Sequence, residues 1–149
     1  MTEKLIHFSH EPLVSIKNKR QFLNQYEMKP QGLWVSVGGD WKTWCEDNSF
    51  NLNCFNYQTE IVLKDDAAIL TLASPSDIDG FTRQYRHNKW AIKWWEVAKK
   101  FSGIVIAPYC WECRLTPETS WYYTWDCASG CIWDNQAVKE LVALEACPI

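Results

Sequence analysis

Ten tryptophans stand in a chain of 149 residues, and no other feature constrains the fold as much. Each indole buries a large apolar area and carries an N–H that needs an acceptor once it leaves water. So many of them imply either a heavily aromatic core or a cavity walled for a flat ligand. The length suits one domain over 1–149 rather than two independent cores.

Composition removes several function classes. With 47% hydrophobic and 22% charged residues the chain has enough apolar surface to fold. A net charge of −3 supplies no global basic field for a nucleic-acid backbone, so nucleic acid is not a favoured partner. The longest apolar stretch, Gly103 to Tyr109, falls far short of the roughly 20 residues a bilayer asks for. Met1-Thr2-Glu3-Lys4 is followed by only Leu5-Ile6 before His7, which does not read as a secretion signal and implies a cytoplasmic chain. The cysteines number seven, and in that compartment they read as reduced thiols.

Periodicity and breakers predict an α+β fold, a mostly antiparallel sheet with a few packed helices. Strands are expected at 4–9, 32–37, 56–63, 67–72, 103–107 and 130–133. Asp65-Asp66 suits a tight turn that would pair the third and fourth strands as a hairpin. Asp40 reads as the cap of a short helix through Trp41, Trp44 and Cys45. Ser76 and Asp79 resemble a capping box before a helix carrying Ile78, Phe81 and Tyr85. A further helix is expected from about Lys89 to Phe101, with Trp90, Trp94, Val97 and Phe101 on one stripe. The run Gly103-Ile104-Val105-Ile106-Ala107 suits a strand buried on both faces. Residues 10–31 and 110–126 read as irregular. Asp134 would cap a final helix containing Val138, Leu141 and Val142.

GxGxxG, GxxxxGK[ST], HExxH and GxSxG are all absent, which removes the commonest nucleotide-fold and hydrolase readings. Cys110, Cys113, Cys127 and Cys131 have spacings that allow a four-thiolate zinc site, but small buried thiols beside two strands read better. Cys127 or Cys131 would serve as a nucleophile only if His7 or His10 met it in space, and an inert thiol is the better reading. Trp90, Trp94 and Trp95 are expected to pack against the sheet. Trp34, Trp41 and Trp121 flank strand ends and polar loops, where a cavity could form. Lys89, Lys93, Lys99 and Lys100 read as the solvated side of a helix.

The segments Leu5-Ile6-His7-Phe8-Ser9, Gly32-Leu33-Trp34-Val35-Ser36, Gly103-Ile104-Val105-Ile106 and Gly130-Cys131-Ile132-Trp133, in that order, resemble the ADP-ribosyltransferase superfamily. The chain is also similar to a group of small bacterial and phage proteins with the phrases KPxGLWxS (Lys29 to Ser36), GIVIAPY (Gly103 to Tyr109) and WDCASGCIWD (Trp125 to Asp134). The first resemblance implies an NAD-binding site and transfer of ADP-ribose to a protein or nucleic-acid target, with NAD as substrate. It implies His7 and Ser9 at the first-strand position that holds ribose or amide, and Trp34 and Ser36 in the second-strand motif. Trp41 and Trp121 would add aromatic wall, and Arg114 would pair with a pyrophosphate unless it is a surface arginine. The late segment carries no glutamate, so the carboxylate expected to steady positive charge on the sugar falls to Asp126, with His7 as its catalytic companion. Two other readings stay open: a non-catalytic nucleotide-binding module, as in a phage protein that blocks host defence, and a zinc-stabilised interaction domain.

Overall fold

The computed structural model describes residues 3–16, 28–50 and 56–144. It has the α+β architecture expected. Seven strands form one sheet: β1 (Leu5–Ser9), β2 (Leu33–Val37), β3 (Tyr57–Leu63), β4 (Ile69–Leu72), β7 (Gly103–Ile106), β8 (Ser129–Ile132) and β9 (Val138–Leu144), in the order β4-β7-β8-β2-β1-β3-β9. Among the described residues only β4 and β7 pair in parallel; the other neighbours are antiparallel. A separate two-stranded hairpin joins β5 (Arg86–Asn88) to β6 (Ala91–Ile92). The helices are α1 (Asp40–Asp47), α2 (Pro75–Tyr85), α3 (Trp94–Ala98) and α4 (Trp111–Arg114), followed by a 3-10 segment, Pro117–Thr124.

The hairpin expected between β3 and β4 does not form. The turn at Asp65-Asp66 is present, closed by the Ala67 N–H on the Lys64 carbonyl, but it delivers the chain to the opposite edge of the sheet. In a flat sheet those strands would lie five spacings apart, about 24 Å. The stretch from Leu63 to Ile69 reaches at most about 21 Å fully extended, and it is turned rather than extended. The sheet therefore curls, bringing its β4 side back toward β3. One set of side chains lines the inside of that curl: Leu5, Val35, Val37, Ile61 and Val105, with Ile69, Val138 and Leu141 against them.

The outer face of β4, β7 and β8 carries the aromatic core. Ile104 and Ile106 meet Ile78, Phe81, Trp94, Trp121, Trp125 and Trp133 there. β7 is thus buried on both faces, as its continuous apolar run predicts. Gly130 sits between two strands so closely that a Cβ would lie 2.6 Å from the Ile104 carbonyl oxygen.

Four other expectations need correction. The cap of α2 is Ser74, whose hydroxyl accepts the Asp77 N–H at 3.1 Å while Asp77 Oδ2 accepts the Ala73 N–H at 2.9 Å. Pro75 at the first helical position fixes this start two residues before Ser76. Asp40 is the first residue of α1 and does not cap it; Ser36 Oγ accepts the Trp41 N–H at 3.0 Å instead. The helix expected from Lys89 to Phe101 shrinks to α3, because Lys89 and Trp90 form a two-residue turn held by the Trp90 N–H on Asn88 Oδ1 at 2.8 Å. Trp90 is consequently exposed rather than packed on the sheet. Finally, Asp134 caps only the 3-10 turn Asn135–Ala137, and the segment with Val138, Leu141 and Val142 is the strand β9.

Candidate functional site

β1 and β2 pair at only two positions, Leu5↔Val37 and Ile6↔Ser36. Beyond them β1 continues along β3, with His7 opposite Thr59 and Phe8 opposite Gln58. β2 continues along β8, with Trp34 opposite Cys131. The two strands part, and the gap is a wedge in the middle of the sheet. His7 spans it: Nδ1 donates to the Trp34 carbonyl at 2.7 Å. A carbonyl only accepts, so this bond places the proton of the neutral imidazole on Nδ1 and leaves Nε2 as an acceptor.

A cavity of about 240 Å³ opens at this wedge, and His7, Trp34, Ser36, Trp41 and Asp126 all line it. Residues from three separate stretches of the chain, singled out from sequence, thus meet at one place. The wall is aromatic. Trp34 meets Trp125 edge-on with ring centroids 4.9 Å apart. Trp41 stacks on Trp44 at 5.3 Å with the planes 8° apart. Lys29, another lining residue, holds its ammonium 5.3 Å from the centre of the Trp34 ring. The Nε1–H of Trp125 is buried with no acceptor among the described residues, although the ring forms part of the wall. A buried donor left unsatisfied costs about 1–3 kcal/mol, which an acceptor on a ligand would offset.

Ser36 holds α1 in place. Its hydroxyl donates to the Gly38 carbonyl at 2.9 Å and accepts from the Trp41 N–H. Gly38 takes a φ of +58°, a conformation that suits glycine and reverses the chain from β2 into α1. The start of α1, and with it the Trp41 ring, is therefore set by the last two residues of β2 and this turn.

Asp126 is held from behind the wall. Arg114 Nη1 lies 3.3 Å from Asp126 Oδ1 and donates to the Tyr109 hydroxyl at 3.0 Å. The Tyr109 hydroxyl in turn donates to the Trp125 carbonyl. The guanidinium is packed 4.8 Å from the Tyr123 ring centre and 5.7 Å from that of Trp111. Burial, ahead of every other influence, raises the Tyr109 hydroxyl above its ordinary value, so it stays neutral and can donate. Arg114 is thus a support for Asp126, not a residue of the cavity wall.

Two other expected contributors stand elsewhere. Ser9 Oγ donates to the Glu11 carbonyl at 2.7 Å and is not on the wall. Trp121 is 1% exposed, with Nε1 donating to Thr82 Oγ1 at 2.9 Å; it belongs to the core behind Trp125. Conversely, Lys29, Thr124 and Trp125 line the cavity without having been singled out. The sequence signal for Trp125 was its place beside Asp126. For Lys29 it was the phrase that ends at Ser36.

Cys127 also reaches the wall, but burial first, then the charges of Asp40 and Asp126, pushes its thiol up to about 12. It remains a neutral thiol at pH 7 and is a poor nucleophile. Cys131 is fully buried. Cys110, Cys113 and Cys127 are free thiols. Among the described residues no group of three or more His, Cys, Asp or Glu is placed to hold a metal ion. No helix of the described residues is long and apolar enough to cross a membrane.

No family model matches the chain, and comparison with curated proteins and with solved structures finds no match.

Proposed function

We propose that the wedge cavity binds NAD or a related nucleotide and that the protein is an ADP-ribosyltransferase-like enzyme. The observation that carries this reading is the meeting of His7, Trp34, Trp41 and Asp126 around one aromatic cavity. A cavity of about 240 Å³ lies just under the roughly 300–1,000 Å³ usual for whole small-molecule sites. It therefore suits one ring of a dinucleotide, with sugar and phosphate lying toward the mouth. A flat ring gains from edge or offset contact with Trp34 and Trp41. His7 Nε2 is an acceptor for an amide N–H or a ribose hydroxyl.

Cleavage breaks the bond between the ribose C1′ and the nicotinamide nitrogen. The electron pair leaves with nicotinamide, positive charge grows on the sugar, and an acceptor then attacks C1′ and gives up its proton. Asp126 supplies a negative charge toward that developing cation, oriented by its bond from Arg114. The aromatic wall excludes the water that would compete for C1′.

The test has two readouts on one sample. NAD should raise the melting temperature of the protein, and nicotinamide should appear in the mixture. Asp126→Asn should leave the first and reduce the second at least about 100-fold, the scale of losing one electrostatic interaction with a transition state. A melting shift without nicotinamide would favour the non-catalytic nucleotide-binding module. Neither effect, under any acceptor tried, would overturn the proposal.

A further inference from the structure

Residues 83–101 carry six Lys or Arg against the single Glu96, a net +5 in a chain of net −3, so the rest of the chain carries −8. A segment of one sign in a chain of the other creates a local potential that attracts an oppositely charged partner. Within this stretch Arg83 and Arg86 lie beside Asp79 and Glu118, while the lysines follow on the hairpin and α3. The hairpin β5–β6 follows α2 directly, and Arg86, His87, Asn88, Lys89 and Trp90 are all exposed. The apolar residues of the hairpin, Ala91 and Ile92, are buried, so Trp90 stands at the tip as a lone aromatic. It is 51% exposed, with the Lys89 ammonium 5.4 Å from its ring centre. At the base, Lys93 and Lys99 both lie near enough to Glu96 to lower its carboxyl, Lys99 foremost through a hydrogen bond at 2.8 Å.

We propose that this hairpin and the adjoining α3 are a docking surface for single-stranded nucleic acid. The chemistry divides between two kinds of group. An exposed indole offers a flat face on which any unpaired base can stack, and lysines spaced around it meet the phosphates on either side. The Lys89–Trp90 contact is an exposed cation–π pair worth about 0.5–1 kcal/mol, weak enough to open so that the ring takes a base and the ammonium a phosphate. A duplex presents no free base faces to Trp90. Insertion into a membrane interface would need several exposed apolar side chains beside the lysines, and the hairpin buries Ala91 and Ile92; the exposed indole favours a partner with free base faces over an anionic lipid surface. This inference stands apart from the NAD cavity and does not depend on it. Binding through phosphate contacts is strongest at low salt.

Fluorescence anisotropy with labelled oligothymidylate and oligouridylate of about 20 nucleotides tests it. The wild-type chain should bind both at low salt, with affinity falling steeply as salt rises. Trp90→Ala should weaken binding about ten-fold or more with the salt slope unchanged, since one base no longer stacks. Lys89→Ala/Lys93→Ala/Lys99→Ala should weaken it and flatten the slope by roughly two, about 0.7 for each phosphate no longer neutralised on a single strand. Lys64→Ala/Lys139→Ala, on exposed lysines elsewhere, should change little. Melting curves of each variant distinguish unfolding from weakened binding. The proposal is overturned by absence of binding at low salt, by equal weakening in the two lysine variants, by a duplex bound as tightly as the single strand, or by preference for vesicles rich in phosphatidylserine.

Discussion

Ser36 gives and receives one hydrogen bond, to the Gly38 carbonyl and from the Trp41 N–H, and so works as a positioning residue for the aromatic wall. Ser36→Ala removes both bonds from a side chain only 3% exposed. It should cost about 1–2 kcal/mol of unfolding free energy in urea, the range for losing a helix-start hydroxyl, and weaken NAD binding through the displaced Trp41. Cys127 makes the opposite point about reactivity. It faces the cavity, yet with its thiol raised to about 12 it should resist iodoacetamide at pH 8 in the folded chain and react once the chain is unfolded. Rapid alkylation of Cys127 in the native state would contradict that. At this scale much of the site was legible. His7, Trp34, Ser36, Trp41 and Asp126 line one cavity; the strands and the turn after β2 are local features that sequence encodes, while the pairing of β1 and β8 with β2 that gathers them is not. Trp121 and Ser9 were misplaced because nothing in a 3-10 segment or a strand end tells which way a side chain faces.

Among the elements, β9 shows why a spacing can mislead. Val138, Leu141 and Val142 recur at intervals of three and four, as on a helix. In β9 the register against β3 shifts between Val62 and Leu63, so Val138 pairs with Leu63 and Glu140 with Val62. The extra residue breaks the alternation of two, and Val138 and Leu141 both reach the inner core. A bulge thus imitates a helical period. The segment 89–101 failed differently. Its tryptophans fit a helical stripe, but the Asn88 side chain captures the Trp90 N–H and closes a turn, a local bond that propensity does not count. The central strands were read correctly because their apolar runs leave little alternative. Their packing leaves equally little room, so Gly130→Ala, with its Cβ 2.6 Å from the Ile104 oxygen, should destabilise the protein by about 1–3 kcal/mol as overpacked cores do. A melting temperature unchanged by that methyl group would argue against the close approach of β7 and β8.

For the whole molecule, the curl of the sheet was the least legible feature. It depends on β4 pairing with β7 rather than with β3, a contact between distant segments that no local pattern announces. The same burial that builds the two cores sets the response to pH. Cys127 is raised from 9.0 to about 12 and Cys113 from 9.0 to about 11, both by burial first, and Tyr122 is raised from 10.0 mainly by burial. Each is held protonated in the native state at a pH where the unfolded chain loses the proton. The unfolded state then binds fewer protons, so stability is fully present below about pH 9 and falls as pH rises above it. Urea midpoints measured from pH 7 to 11 should drop across that window, and a flat profile would contradict the burial of these groups. The tryptophans also supply the most direct test of the cavity. Their indole N–H signals in a ¹⁵N–¹H spectrum, assigned by Trp→Phe variants, can be followed as NAD is added. With NAD in the wedge, the signals of Trp34, Trp41 and Trp125 should move together with one saturating curve while those of Trp94 and Trp133 stay fixed. If NAD moves none of the ten, or moves only indoles away from the parting of β1 and β2, the wedge is not where this protein takes its ligand.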